Sequence, residues 1–307
     1  MAANDFEQNW ALLVHDTARL IRRRFDVSIR DLGLTQAKWR VLGTLSRHPG
    51  ITQSELAERL DIEKAPLGLA LEWLDQAGWI RREKDPADRR ARRVYLREQS
   101  TPTLKAMEER FRLVESNYLR GFDESEVAEL LDALQAVRTM LRTADHIAKD
   151  ADTGRQDTYL SVLFECSRLL MRRFDVRLGE MGFTRQQWLA LNTIEQREGL
   201  RQSDLAEATE VGAAAAGKLV DALERGAWVE RRVDAADRRA NRLHISRRGR
   251  SMLASTRERF DRLHGDLDRA LGRERHRILV KRLGWIRQRL LEEGVHTAEA
   301  RRAGARS

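Results

Sequence analysis

The sequence predicts a mainly α-helical protein with small β-hairpins, built from two copies of one unit in a single chain. Three observations lead there. Residues 25–96 and 174–245 align without a gap at an offset of 149 and share 26 identities in 72 positions. That period is far longer than the roughly 20–50 residues of a solenoid, so one domain has been duplicated. Apolar residues recur at steps of three and four in both copies, the spacing of one helix face. Aromatic residues make up only 6% of the chain and all four prolines precede residue 103, which argues against an all-β design.

The repeat sets the boundaries: a first unit at 1–148, a polar linker at 149–156, a second unit at 157–294 and a basic, disordered tail at 295–307. With 41% apolar residues each unit can bury a core, which excludes wholesale disorder. No stretch approaches the roughly 18 apolar residues of a membrane-spanning helix. A single cysteine, Cys166, excludes an intrachain disulfide framework and fits a reducing compartment. Asp5, Glu7 and Asp16 stand where a signal peptide would need basic and then apolar residues. A cytoplasmic protein is therefore expected.

Within the first unit, Phe6, Trp10, Leu13, Leu20, Ile21, Phe25, Ile29 and Leu32 mark one long amphipathic helix. Thr35 starts a second helix, with Trp39, Leu42 and Leu45 on its inner face; in the copy, Thr184 and Gln187 have capping-box spacing. Thr52 and Glu55 have it too and open a short helix at 53–60. Pro66 fits the first turn of the next helix, where its missing N–H costs nothing. Leu67, Leu71 and Leu74 give that helix a buried face and Gly78 stops it. Ile80–Lys84 and Arg92–Leu96 read as two strands around a turn-rich tip. Thr101 and Pro102 cap a long helix through Met107, Phe111, Val114 and Tyr118. A last helix carries Leu130, Leu134, Val137 and Leu141, matched by Leu279, Leu283, Ile286 and Leu290.

A short helix, a tight connection, a second helix and a hairpin make a winged helix-turn-helix. The second helix fits the major groove of DNA. Charge agrees with such a partner. Residues 81–93 hold seven basic and three acidic side chains, and residues 230–242 hold five and three. These windows supply six of the nine net charges in 26 of 307 residues. Clustered cations are the footprint of a polyanion partner, whereas a solvated hairpin with local ion pairs would not require the cluster twice.

The residues Thr35 to Trp39, Gln53-Ser54-Glu55-Leu56-Ala57, Gly78-Trp79-Ile80 and the run Asp85 to Arg93 resemble the MarR family of bacterial transcriptional regulators. The second copy, with Ile245 to Gly249 after its hairpin, is at least as similar. Family members are usually homodimers joined by their first and last helices; this chain departs by holding both units itself. The resemblance implies Arg90 and Arg239 as wing arginines entering minor grooves, where narrow, negative grooves attract the cation. It implies Asp88 and Asp237 as wing-positioning residues acting through ion pairs, or simply as turn formers. Arg89, Arg93, Arg238 and Arg242 are phosphate-contact candidates. Gln53, Ser54 and Lys64, with Gln202, Ser203 and Lys218, complete the DNA-binding set. The outward positions of the reading helices are poor in donors: Lys64, Gly68 and Leu69 in one copy, Ala213, Gly217 and Lys218 in the other. Base readout needs donors and acceptors, so specificity rests on wings and DNA shape or is modest.

The resemblance further implies a repressor released by a small aromatic or phenolic acid, bound between the DNA-binding lobe and the dimer helices. Trp39 and Trp188 are candidates for that pocket, with Trp10, His15 and Tyr159; each is equally a core residue on an apolar helix face. Cys166 reads as buried filler. Peroxide-sensing relatives carry their cysteine nearer Leu160, so redox sensing is disfavoured. No metal-ligand spacing, phosphate loop or nucleophile–base motif appears, so no enzyme, metal or cofactor is expected. Two other readings remain: a low-specificity architectural DNA-binding protein without effector control, and a protein-interaction module that has lost DNA binding. The copies differ at interface positions (Trp10 against Tyr159, Val127 against His276), so unlike copies can pair differently from like ones. The expected state is a monomer acting as a pseudo-dimer on double-stranded DNA, with an imperfectly palindromic operator.

Overall fold

A computed structural model of the chain describes residues 9–60, 62–88, 90–144, 157–209, 211–233 and 241–304, from residue 294 by backbone alone. The linker expected at 149–156 lies outside the described residues.

In the first copy, α1 (Trp10–Ser28) starts where Asn9 Oδ1 accepts from the Leu12 N–H at 3.0 Å. It ends four residues before the expected Leu32. Ser28 Oγ donates back to the Phe25 carbonyl, and the chain tightens into a 3₁₀ turn at Arg30–Leu32 that leaves through Gly33 at φ +67°. Thr35 caps α2 (Gln36–Arg47). Next come β1 (Ile51–Thr52), α3 (Gln53–Leu60), α4 (Lys64–Gln76), β2 (Ile80–Lys84), β3 (Arg92–Leu96), α5 (Thr101–Leu119) and α6 (Glu124–Ala144). The Thr52–Glu55 capping box forms as its spacing requires: the Thr52 N–H donates to Glu55 Oε2 at 2.9 Å and the Glu55 N–H to Thr52 Oγ1 at 3.3 Å. Thr101 is not the cap of α5 but its first residue, with Pro102 behind it; Ser100 precedes them, and its Oγ donates to the Trp79 carbonyl. The sequence pattern did not reveal β1. It pairs with β3, Ile51 opposite Val94, and turns the hairpin into a three-stranded antiparallel sheet in the order β1-β3-β2.

The second copy repeats this order at the same offset: α7 (Tyr159–Glu180), α8 (Arg185–Gln196), β4 (Leu200–Arg201), α9 (Gln202–Ala208), α10 (Ala213–Arg225), β5 (Val229–Val233), β6 (Asn241–Ile245), α11 (Arg247–Leu271) and α12 (Arg273–Gly304). The Thr184–Gln187 capping box forms at the start of α8. The backbone of α12 stays helical to Gly304, past residue 295 where the sequence reading starts a disordered tail.

Two compact units result, and they do not coincide with the repeats. One holds Met1–Ser167 with Arg275–Ser307, the other Arg168–Glu274. The first and last helices of the second copy thus each run from one unit into the other. The first unit has its core around Phe25, Leu42, Leu56, Leu71, Ile80 and Val94. It also buries the leucine stripe of α6 and the matching stripe of α12, Leu279 to Leu290. The second unit has its own core around Leu178, Leu191, Leu205, Val220 and Leu243, against which the stacked Phe174 and Phe260 rings pack.

One turn shows how the copies diverged. Gly78 ends α4 in the left-handed region at φ +77°, which glycine adopts without strain. Its counterpart at offset 149 is Ala227, held at φ +56°. The glycine of that turn stands one place earlier, at Gly226, where a Cβ would lie 2.7 Å from the Trp228 ring. Glycine is thus required at 226 by the indole, and alanine bears the left-handed backbone. A left-handed non-glycine residue costs roughly 1–2 kcal/mol, against up to about 1 kcal/mol for the extra freedom of glycine in the unfolded chain. Ala227→Gly is therefore expected to raise stability in urea unfolding by about 0.5–1 kcal/mol. Gly78→Ala is expected to lower it by about 1–2 kcal/mol.

Candidate nucleic-acid interface

The hairpin tip is fixed by one buried carboxylate. Asp85 is 5% exposed. Its Oδ1 accepts from the N–H groups of Ala87 (2.7 Å) and Asp88 (3.2 Å), and its Oδ2 pairs with Arg93 Nη2 at 2.8 Å. The Ala87 hydrogen bond, joined by those of Asp88 and Arg93, holds its carboxyl below the usual carboxylate range against the cost of desolvation. Arg93 also donates from Nη1 to the Gly50 carbonyl at 2.8 Å, tying the wing to the turn before β1. Arg242 makes the same contact to Gly199 at 2.9 Å. Both arginines, expected on phosphates, also make contacts inside their own unit. Asp88 was expected to hold the wing through an ion pair or simply to form its turn. It forms the turn, its Oδ1 accepting from the Arg90 N–H at 2.9 Å, and among the described residues the ion pair of the tip belongs to Asp85.

The hairpin is further tied to the end of the reading helix. Arg82 Nε donates to Asp75 at 3.0 Å on α4; Arg231, its counterpart, pairs with Asp221 and Glu224 on α10 at 2.6 Å each. Arg81 lies over the Tyr95 ring and pairs with Glu83. What remains outward on the first wing is Lys84, Arg90 and Arg92, all exposed and, among the described residues, without an ion-pair partner. Internal contacts thus use Arg81, Arg82 and Arg93 to stiffen the hairpin and leave a cationic tip. Arg89, Asp237, Arg238 and Arg239 lie outside the described residues.

Of the helix-turn-helix candidates, Ser54, Ser203, Lys64 and Lys218 are exposed. Gln53 and Gln202 are half-buried, with Nε2 at 3.5 and 3.4 Å from where a Cβ on Gly68 and Gly217 would stand. Both amides therefore pack across the crossing of the two helices, and the glycines make room for them. The reading faces differ between copies. The first presents Lys64 and a 70% exposed Leu69; the second presents Ala213, Ala214 and Ala215 with Lys218 at the place of Leu69.

A family model described as the MarR family matches residues 32–91 and again residues 181–240. The MarR-family model thus matches the chain twice. The two matches are themselves 149 residues apart, so tandem duplication and family agree. Among solved structures, the transcriptional regulator SlyA matches at 22% identity over 43% of this chain and 94% of that one, with a TM-score of 0.39. A MarR transcriptional regulator from Methanosarcina mazei Go1 matches at 24% identity over 43% and 93%, with a TM-score of 0.40. The S. aureus MepR–DNA complex matches at 25% identity over 32% and 80%, with a TM-score of 0.29. The MarR-type winged helix-turn-helix is a DNA-binding regulatory fold. Among the described residues no helix is long and apolar enough to cross a membrane.

The five effector-pocket candidates fall in both compact units. Trp10, His15, Trp39 and Tyr159 belong to the first compact unit and Trp188 to the second. Trp39 is part of the first core, and Trp188 packs edge-on against Phe174 at 5.1 Å between ring centroids. Trp10 and Tyr159 are buried. Burial raises the Tyr159 phenol above its ordinary range, and its hydroxyl has no hydrogen-bond partner among the described residues. His15 Nδ1 lies 3.2 Å from Ser167 Oγ. Cys166 donates its thiol to the Leu134 carbonyl, and burial pushes that thiol up and away from reactivity.

Sequence reasoning missed Asp85 as the centre of the wing. The signal was present, since both Asp85 and Arg93 recur at offset 149 as Asp234 and Arg242. Arg93→Ala is expected to lower the melting temperature and speed amide exchange at Ala87 and Asp88. Arg90→Ala should change neither, and calorimetry with hydrogen exchange separates the two arginines.

Proposed function

We propose that this chain is a transcriptional repressor that binds one DNA duplex through two unlike half-sites, as a monomer acting in place of a homodimer. The observation that carries the reading is the first wing: a hairpin stiffened from within that leaves Lys84, Arg90 and Arg92 exposed at its tip and, among the described residues, without an ion-pair partner. Arg90, with Arg239 in the second copy, enters the minor groove. Arg89, Arg92 and Arg238 meet phosphates. Lys64, Ser54, Lys218 and Ser203 face the major groove or its rim. The reading faces differ in where they carry their lysine, so the operator is an imperfect palindrome, with half-site centres about 34–36 Å apart.

Repression is relieved, in this reading, by a small aromatic or phenolic acid. Supporting it are two polar atoms at candidate pocket positions, Tyr159 Oη and Trp188 Nε1, buried without a partner among the described residues. A buried unsatisfied donor costs about 1–3 kcal/mol, which a ligand carboxylate would offset. The second reading, an architectural protein of low specificity, is favoured by Leu69 and by the run Ala213–Ala215, which offer no side-chain hydrogen bonds to bases.

Footprinting separates these readings. A repressor protects a discrete site, an architectural protein coats any duplex, and an interaction module shows no salt-dependent binding. Arg90→Ala combined with Arg239→Ala is expected to weaken operator binding by roughly 10³-fold, a few kcal/mol for two desolvated contacts, without changing the melting temperature. Unchanged affinity in a gel-shift titration would remove the wing tips from the interface. A phenolic carboxylate is expected to alter tryptophan fluorescence and release the operator. Release requires tighter binding to the DNA-incompetent state, so an acid that binds and leaves DNA affinity unchanged counts against effector control of this class.

A further inference from the structure

The last helices of the two copies carry opposite charge within the first unit. On α12, Arg282 has a side chain only 9% exposed, and its guanidinium is held between Glu126 and Glu129 of α6, the latter at 2.8 Å. Arg275 Nε donates to Asp132 at 3.0 Å, and the charge of Lys281 bears on Glu126. A separate pair of contacts joins the first helix of one copy to the last helix of the other. Arg287 Nε donates to Asp16 at 2.6 Å, and Arg138 lies 3.7 Å from Glu165. Since 16 + 149 = 165 and 138 + 149 = 287, these are one contact repeated about a pseudo-twofold axis. The same operation carries Arg275 and Asp132 onto Glu126 and Lys281, two positions with their opposite charges exchanged.

We propose that this surface accepts only an unlike copy: the terminal helices of the first copy pair with those of the second and reject their own kind. Two first copies meeting about the same axis would set Asp132 against Glu126 twice and leave Glu126 and Glu129 facing Ala133. Two second copies would set Arg275 against both Lys281 and Arg282, again twice, with the guanidinium of Arg282 deprived of its carboxylates. Removing the partner of a buried charge is strongly destabilising, and like charges set face to face exclude wrong partners. The contact at Asp16 behaves differently. Asp16 with Arg138, or Glu165 with Arg287, would remain complementary in any pairing. That contact therefore holds two copies together without choosing between them, and the charges of α6 and α12 choose. Partner exchange between chains keeps unlike copies together and is compatible with the surface; a like-with-like dimer is not.

The test swaps charge in the full chain. One variant carries Glu126→Lys, Glu129→Lys and Asp132→Lys, making both last helices basic. The other carries Arg275→Glu, Lys281→Glu and Arg282→Glu, making both acidic. Each is expected to melt about 10 °C below the parent, at the roughly 2–4 °C per kcal/mol typical of this size. All six substitutions together should recover most of that loss. Mixing the two half-swapped chains should yield a one-to-one complex by light scattering, because each then supplies the charge the other lacks. Half-swaps that melt with the parent would overturn the proposal. So would a six-fold variant no more stable than its halves, or half-swapped chains that each self-associate and ignore one another.

Discussion

The structure depends on burying the last-helix stripes of both copies inside one compact unit. Leu130, Leu134, Val137 and Leu141 on α6, and Leu279, Leu283, Ile286 and Leu290 on α12, are all essentially inaccessible to solvent. At roughly 1.5–3 kcal/mol for each large aliphatic side chain buried, eight of them contribute about 12–24 kcal/mol as an upper bound. That is of the same size as the whole net stability of an ordinary domain. The first copy cannot leave its stripe in water, so its fold is completed by helices that the sequence assigns to the second copy. This is why the compact units cut across the repeat.

The wing follows a different economy, one of hydrogen bonds and charge. A hairpin of two five-residue strands is marginal by itself. Here β1 adds a third strand, Asp85 gathers two backbone N–H groups and a guanidinium, and Arg82 fastens the hairpin to the end of α4. Three arginines of the wing thus build the support, and Arg90 and Arg92 can project without disordering it. A cation on a stiff support loses less conformational entropy when it meets a phosphate or a groove than one on a mobile loop.

What could be read from sequence was what side-chain periodicity and local capping encode. The helices, both capping boxes, the two five-residue strands and the 149-residue offset depend on neighbours three or four positions apart, or on identity between copies. What could not be read depends on burial and on backbone pairing. β1 is two residues long and is made by hydrogen bonds to β3, with no pattern of its own. Arg90 and Arg93 stand three residues apart in one basic run, yet one is exposed and the other is turned onto Gly50 and Asp85. Nothing in composition distinguishes them. The choice between Asp85 and Asp88 as the wing's anchor likewise turns on which carboxylate the turn encloses. The pocket candidates were legible as buried aromatics and no further, because Trp39 and Trp188 each serve the core of their own copy.

Fusing two copies in one chain removes a constraint that a homodimer obeys. In a homodimer every substitution occurs twice, and residues near the axis face themselves, so a charge there repels its own image. Once both copies lie in one sequence, each position can change alone. The record of that freedom is visible throughout: Gly78 against Ala227, Tyr95 against His244, Lys64 against Ala213, Leu69 against Lys218, Glu126 against Arg275. The tether also supplies an effective concentration on the order of millimolar if it spans the termini, so the pairing surface need not be strong to stay closed. It needs only to be selective. Selectivity is what opposite charges on α6 and α12 provide.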